Sequence, residues 1–314
     1  MSALSTLQPI SHPMFTRHKI SVQVKRDDQI DKVISGNKWR KLKYNLLHAK
    51  AINAKGIITF GGSFSNHIHA CALACKQQQL SAIGIIRGEE DNQDNYTLAW
   101  AKHWGMQLSF VDRKTYRLRN EKSYLQHLQQ QYPDYLIVPE GGSNALALIG
   151  MAEVIDELNQ QSEFDTLLSP VGSGGTLAGL ISADKNQHKI LGISVLKQDG
   201  YLVKQVNDLL PEHAKAHTNW QLMSQYHGGG YAKFSAQDAQ RIRSFSAVVG
   251  IDFEPVYSGK MILALLDLMS TGYFPAHHRI VLLHTGGLQG LAGMFERGIL
   301  NPNEWPSLPA PPVR

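Results

Sequence analysis

Short apolar runs alternate along the chain with longer amphipathic stretches. The runs at 54–59 (AKGIIT), 80–87 (LSAIGIIR) and 106–111 (MQLSFV) predict strands, with helices over 70–79 and 95–104 between them. The signature returns at 166–171, 189–196 and 279–284, with helical stretches after Thr176, after Ser235 and after Ser258. Strands that alternate with helices predict βαβ units and parallel sheets, and two such blocks predict two α/β domains. Glycines stand where these strands end, at Gly61-Gly62, Gly141-Gly142, Gly172 to Gly175, Gly228 to Gly230 and Gly286-Gly287. Any one pair only turns the chain. Open parallel sheets bind ligands at the carboxyl ends of their strands, however, so clusters placed there predict a shared cleft. The proline-rich end, 302–312, reads as an extended tail on the surface.

Composition narrows the function classes. A chain of 314 residues, 43% hydrophobic and 18% charged, is long enough for a substantial core and is neither disordered nor membrane-like. No apolar stretch approaches a bilayer span, and residues 1–19 lack a secretory pattern, so the expected compartment is the cytoplasm, with no membrane partner. Lys plus Arg exceed Asp plus Glu by 31 to 26, but no basic block forms, which argues against a nucleic-acid partner. The two cysteines, Cys71 and Cys75, lie at i and i+4 with His67 one turn earlier. That spacing sketches a metal site, but thiols on a buried helix face are the commoner case, and no metal is expected.

The sharpest local signal is VGSGGTLAG at 171–179, a glycine loop between a strand and a helix. Free backbone N–H groups at a helix start, without side chains in the way, make a cradle for phosphate. A dinucleotide fingerprint would need glycine where Leu177 stands, and Lys197 occupies the place of the ribose-binding acid; the Walker lysine is also missing. A nicotinamide-dependent oxidoreductase is therefore disfavoured, and a cofactor with a single phosphate fits better. If that cofactor is pyridoxal 5'-phosphate, the chain must supply an imine-forming lysine and a polar turn for a substrate carboxylate. The segment SGNKWRKLK, 35–43, offers Lys38, Lys41 and Lys43, and local reasoning does not choose among them. GGSFSNH at 61–67 brings hydroxyls and an amide to a helix start, where Ser65 also suits a plain N-cap.

Taken together these motifs resemble the family of 1-aminocyclopropane-1-carboxylate deaminases and D-cysteine desulfhydrases, of the tryptophan-synthase-β-like fold type, over roughly 24–298. GNKWRKL at 36–42 matches the family's GNKxRKL, whose first lysine carries the cofactor, here Lys38. Ser65, Asn66 and His67 match the turn that grips the substrate carboxylate, with Asn66 also near the cofactor's phenolic oxygen. Gly172, Ser173, Gly174, Gly175 and Thr176 match the phosphate loop. Tyr231, in HGGGY, and Tyr257, in EPVYSGK, match tyrosines on the substrate side, and HTGG at 284–287 matches the strand end beside the pyridine nitrogen.

Deaminases of the family tend to carry VYEGK and HLGG, whereas desulfhydrases carry small hydroxyl residues at both variable places, here Ser258 and Thr285. A carboxylate near the pyridine nitrogen keeps it protonated and strengthens the electron sink; a neutral hydroxyl does so less. Opening an unactivated cyclopropane needs the stronger help, and β-elimination does not.

The resemblance thus implies two three-layer αβα domains with mostly parallel sheets and pyridoxal phosphate in the cleft between them. Residues 1–43 plus 149–314 would form the cofactor domain, and 44–148 the domain carrying the carboxylate turn. It implies β-elimination on a small amino acid, D-cysteine giving pyruvate, sulfide and ammonia, in a homodimer. Ring-opening deamination is the alternative, and a non-catalytic cofactor- or amino-acid-binding protein a weaker one. Phe64 stands where relatives commonly have Gln, His69 where many have Arg, and Ala232 departs from the usual Tyr-Gly continuation. These departures bear on the substrate more than on the cofactor.

Overall fold

The computed structural model describes residues 4–31, 33–34, 36–90, 93–197 and 200–311. Its strands are β1 (Leu7–Ile10), β2 (Ser21–Lys25), β3 (Gly56–Gly62), β4 (Ser81–Arg87), β5 (Met106–Val111), β6 (Tyr135–Val138), β7 (Thr166–Val171), β8 (Lys189–Ser194), β9 (Trp220–Met223) and β10 (Arg279–Leu283). Its helices are α1 (Pro13–His18), α2 (Asn37–Ala51), α3 (Asn66–Gln77), α4 (Tyr96–His103), α5 (Arg113–Arg117) and α6 (Lys122–Gln131) in the first half. In the second half they are α7 (Ala145–Gln161), α8 (Gly175–Asp184), α9 (Tyr201–Leu209), α10 (Ala236–Val249), α11 (Ser258–Ser270) and α12 (Ala292–Glu296).

The strands form two sheets, in the orders β1-β2-β10-β7-β8-β9 and β5-β4-β3-β6, parallel throughout except where β1 meets β2. Both sheets are covered on both faces, which is why their central strands read as continuous apolar runs. In β10, Ile280 and Leu282 pack toward α10 and α11 with Ile242, Phe245 and Leu265, while Val281 and Leu283 pack toward α7 and α8 with Met151 and Leu177. In β3, Ile57 joins the α3 side with Ile68, and Ile58 and Phe60 face Tyr116. Each such side chain contributes roughly 1.5–3 kcal/mol by leaving water. The expected fold, parallel α/β sheets each between helical layers, is what the structure has.

Local chemistry moved one helix start. The helix expected at 70–79 begins at Asn66, because Ser65 caps it, its Oγ accepting from Ile68 N at 3.3 Å. The boundaries expected at 43/44 and 148/149 fall inside α2 and α7, which pack on each other. The C-terminal segment is not merely a surface tail: Trp305, 8% exposed, is buried in the core beside α10, whereas residues 312–314 lie outside the described residues. Cys71 and Cys75 point into the core of the smaller sheet, Sγ to Sγ 4.0 Å. Among the described residues, no helix is long and apolar enough to cross a membrane.

Candidate active site

The carboxyl ends of β3, β4, β7 and β10 open onto a cleft of about 1080 Å³. All the residues expected in the site line it except Gly175 and Ser258, which lie behind its wall.

Lys38 sits in the first turn of α2, and a close backbone contact fixes where that turn lies. Gly36 has φ 39°, and a Cβ there would stand 2.3 Å from the Thr285 carbonyl oxygen, so only glycine lets the helix start dock on the end of β10. Lys38 Nζ donates to Asn37 Oδ1 at 2.9 Å, and Asn37 Nδ2 donates to Thr176 Oγ1 at 2.9 Å, which ties the lysine to the glycine loop. Burial lowers the Lys38 amine from its ordinary 10.5 to about 8. The three lysines that sequence left open now separate. Lys43 turns outward to Glu153. Lys41, one turn after Lys38, is buried beneath the loop, with Nζ 2.8 Å from Ser143 Oγ and 3.4 Å from Ser173 Oγ. Burial, and then Lys38, hold its amine well below the ordinary value. Sequence reasoning did not single out Lys41; its i, i+3 spacing from Lys38 is the signal that it shares a face.

The loop from Gly172 to Thr176 joins β7 to α8, whose N-cap Gly174 has φ 80° and offers no side chain to the helix's first N–H groups. A Cβ on Gly175 would meet Ser143 Oγ at 2.6 Å. One at Gly172 would press on the Tyr257 ring at 3.1 Å. Bare amides at a helix start, hydroxyls of Ser173 and Thr176 and an otherwise uncompensated Lys41 amine together suit a phosphate. Lys38, with its lowered amine on the same cleft wall, suits an aldehyde. These residues fit pyridoxal phosphate.

Across the cleft, Ser65 and Asn66 stand at the start of α3, and Asn66 reaches toward the turn after β10: a Cβ on Gly287 would lie 3.1 Å from its Nδ2. Thr59 Oγ1 donates to the Val138 carbonyl at 2.8 Å and so must accept from His67 Nε2 at 2.7 Å. His67 therefore carries its proton on Nε2. Its buried Nδ1 has no hydrogen-bond partner among the described residues, and burial, reinforced by Lys41 and Lys38, keeps the ring neutral.

Tyr231 and Tyr257 meet edge to face, ring centroids 5.7 Å apart. Burial raises the Tyr257 phenol well above its ordinary value; Tyr231, which is 42% exposed, is raised less, with the bond to Tyr257 opposing the rise. The glycine loop carrying Tyr231 is held by a residue the sequence did not flag. Lys260 Nζ, buried, donates to the carbonyls of His227 and Gly230, each at 2.7 Å, and of Val195 at 3.2 Å. Three acceptors match the three donors of an ammonium.

Glu254 was missed too, although it opens the same EPVYSGK motif. It is fully buried, and its carboxylate accepts from the backbone N–H groups of Val256, Tyr257 and Ser258 and from Ser258 Oγ at 3.2 Å. Burial nevertheless pushes it up to about 7. The Ser258 hydroxyl is thus spent on Glu254, while Thr285 is the hydroxyl residue on the wall. The turn after β10 is set by His284, whose Nε2 donates to the Asp252 carbonyl at 2.8 Å and whose Nδ1 accepts from Gly286 N at 3.1 Å.

Residues 8–286 match the model of a family described as pyridoxal-phosphate dependent enzyme. A putative 1-aminocyclopropane-1-carboxylate deaminase of Pyrococcus horikoshii is 33% identical over 86% of this chain and 85% of its own length. The D-cysteine desulfhydrase of Klebsiella pneumoniae is 28% identical over 85% of this chain and 87% of its own. A crystal structure of an ACC deaminase homologue superposes with a TM-score of 0.82 at 28% identity, covering 95% of this chain and 94% of that one. The chain therefore belongs to the pyridoxal-phosphate dependent enzymes, in the family of the 1-aminocyclopropane-1-carboxylate deaminases and D-cysteine desulfhydrases.

Proposed function

We propose that the protein catalyses β-elimination on a small amino acid, D-cysteine giving pyruvate, sulfide and ammonia. The observation that carries this reading is the pair of neutral hydroxyl residues at the end of β10 and the start of α11: Thr285, on the cleft wall, and Ser258, behind it, stand where deaminases of the family tend to carry Leu and Glu respectively.

Bound pyridoxal phosphate draws electrons from an amino acid joined to it and so acidifies its Cα–H. Lys38 holds the cofactor at rest, and the loop from Gly172 to Thr176, with Lys41 beneath it, holds the phosphate. Ser65, Asn66 and the first N–H groups of α3 fix the substrate carboxylate, which decides which Cα face meets Lys38. Lys38 Nζ then takes the Cα proton; an amine near 8 is neutral often enough at physiological pH to act as the base. The electron pair left at Cα forms the Cα–Cβ double bond as the Cβ–S bond breaks and sulfur departs with its pair. The tyrosine pair on the cleft wall, Tyr231 and Tyr257, supplies the proton to that sulfur. The released aminoacrylate hydrolyses to pyruvate and ammonia. The same proposal includes a cofactor domain of residues 1–43 and 149–314, a smaller domain of 44–148, a homodimer and a cytoplasmic location.

One observation favours the second reading, ring-opening deamination: Glu254 stands a single hydrogen bond behind Ser258. The purified protein is offered D-cysteine, L-cysteine and the cyclopropane amino acid, and keto acids are assayed. Pyruvate from D-cysteine is expected. 2-Oxobutyrate from the cyclopropane substrate without pyruvate selects deamination, and a cofactor band with neither product selects a binding protein.

A further inference from the structure

Two guanidiniums flank the substrate turn, and neither has a carboxylate partner among the described residues. Arg87 ends β4 in register with Gly62, its Nη2 3.4 Å from where a Cβ of Gly62 would stand. It lies over the ring of Tyr116, Cζ 5.6 Å from the centroid. On the other flank Arg297 lies over the Phe64 ring at 5.6 Å, with Nε donating to the Gly293 carbonyl at 2.8 Å and Nη2 3.3 Å from Met294 Sδ. Phe64 itself is wedged against Gly293, where a Cβ would stand 2.6 Å from the ring.

The acids of the cleft are already taken. Glu140 receives Arg119 Nε at 2.6 Å, and Asp208 receives Lys204 Nζ at 2.6 Å. Arg87 and Arg297 both line the cleft, as does Tyr231. Contact with a ring restrains each guanidinium and leaves N–H donors for an anion, which an arginine binds through paired hydrogen bonds.

We infer that the site selects an α-amino acid whose side chain ends in a second anion, a carboxylate or a sulfonate. The α-carboxylate occupies the Ser65–Asn66 turn, Arg87 takes the distal anion, and Arg297 closes the other flank. This rests on the proposed amino-acid site and names the class that it would prefer over D-cysteine, whose side chain ends in a thiol and not in such an anion.

Calorimetric titration of the holoenzyme with alanine, aspartate and 3-sulfoalanine of one hand tests it. The two dianionic probes should bind at least about tenfold more tightly than alanine, as expected for one charge-assisted contact in a cleft. The aspartate-to-alanine affinity ratio should fall toward one in Arg87→Gln. Equal affinities in the parent protein, or a ratio unchanged in both Arg87→Gln and Arg297→Gln, would overturn the inference. Pyruvate release is scored separately: its absence with every amino acid removes the elimination reading, while the affinity ratio still decides this one.

Discussion

A lysine amine at about 8 is a different reagent from one at 10.5, because the neutral form is the nucleophile and the base. At pH 7 about one Lys38 in ten is neutral, against roughly one in three thousand for an unperturbed lysine. Apoprotein mixed with pyridoxal phosphate should therefore capture it at a rate that rises as pH climbs through about 8 and then levels. A rate, followed by absorbance, that keeps rising toward 10.5 would show that burial does not tune this amine. At this scale the sequence was partly legible. Its motifs named Lys38, Ser65 and both tyrosines, but how Lys38, Lys41 and Lys43 differ, one on the cleft wall, one buried beneath the glycine loop and one turned outward to Glu153, is a property of what packs around α2. Glu254 and Lys260 escaped for a related reason. Their partners are backbone groups of loops, Val256 to Ser258 for one and His227 and Gly230 for the other, and no side-chain pattern records them.

Elements are held in place by a buried charge network under α2. Arg40, two residues after Lys38 and 2% exposed, donates to Asp27 Oδ2 at 2.7 Å after β2 and to Glu157 Oε1 at 2.9 Å on α7, while Lys25 Nζ lies 2.5 Å from Glu157. Burial alone would raise Glu157, but the bonds from Arg40 and Lys25 outweigh it and hold the carboxyl at about 2. Since that value is below the unfolded 4.5, the stability it contributes is present above pH 4.5 and is lost as pH falls toward 2. Arg40→Met leaves Asp27 and Glu157 short of positive charge in a dry site and should cost about 3–5 kcal/mol in urea unfolding at pH 7. A loss below about 1 kcal/mol would mean that the network contributes little. The central strands were legible because parallel strands covered on both faces show as unbroken apolar runs. Those passed over, β1, β6 and β9, are four-residue edge strands, one of them containing Pro9, and β2 is a short neighbour of an edge. Edges need apolar residues on fewer positions, so their pattern fades into the loops.

For the whole molecule, the prediction of a shared cleft from glycine clusters at strand ends holds because parallel strands of one sheet deliver their following loops to the same side. What sequence could not supply is how the two sheets meet, and so which side chains share the gap: Arg87 ends one sheet, Tyr231 follows a strand of the other, and both line the cleft. In the proposed mechanism this cleft holds pyridoxal phosphate on Lys38. Reduction of the holoprotein with borohydride, followed by peptide mapping, tests it most directly, since reduction makes the lysine–cofactor link permanent. The cofactor's added mass should appear on the peptide containing Lys38 and vanish in Lys38→Ala; added mass on Lys41 or Lys43, or none at all from a protein that still converts its substrate, would rule Lys38 out.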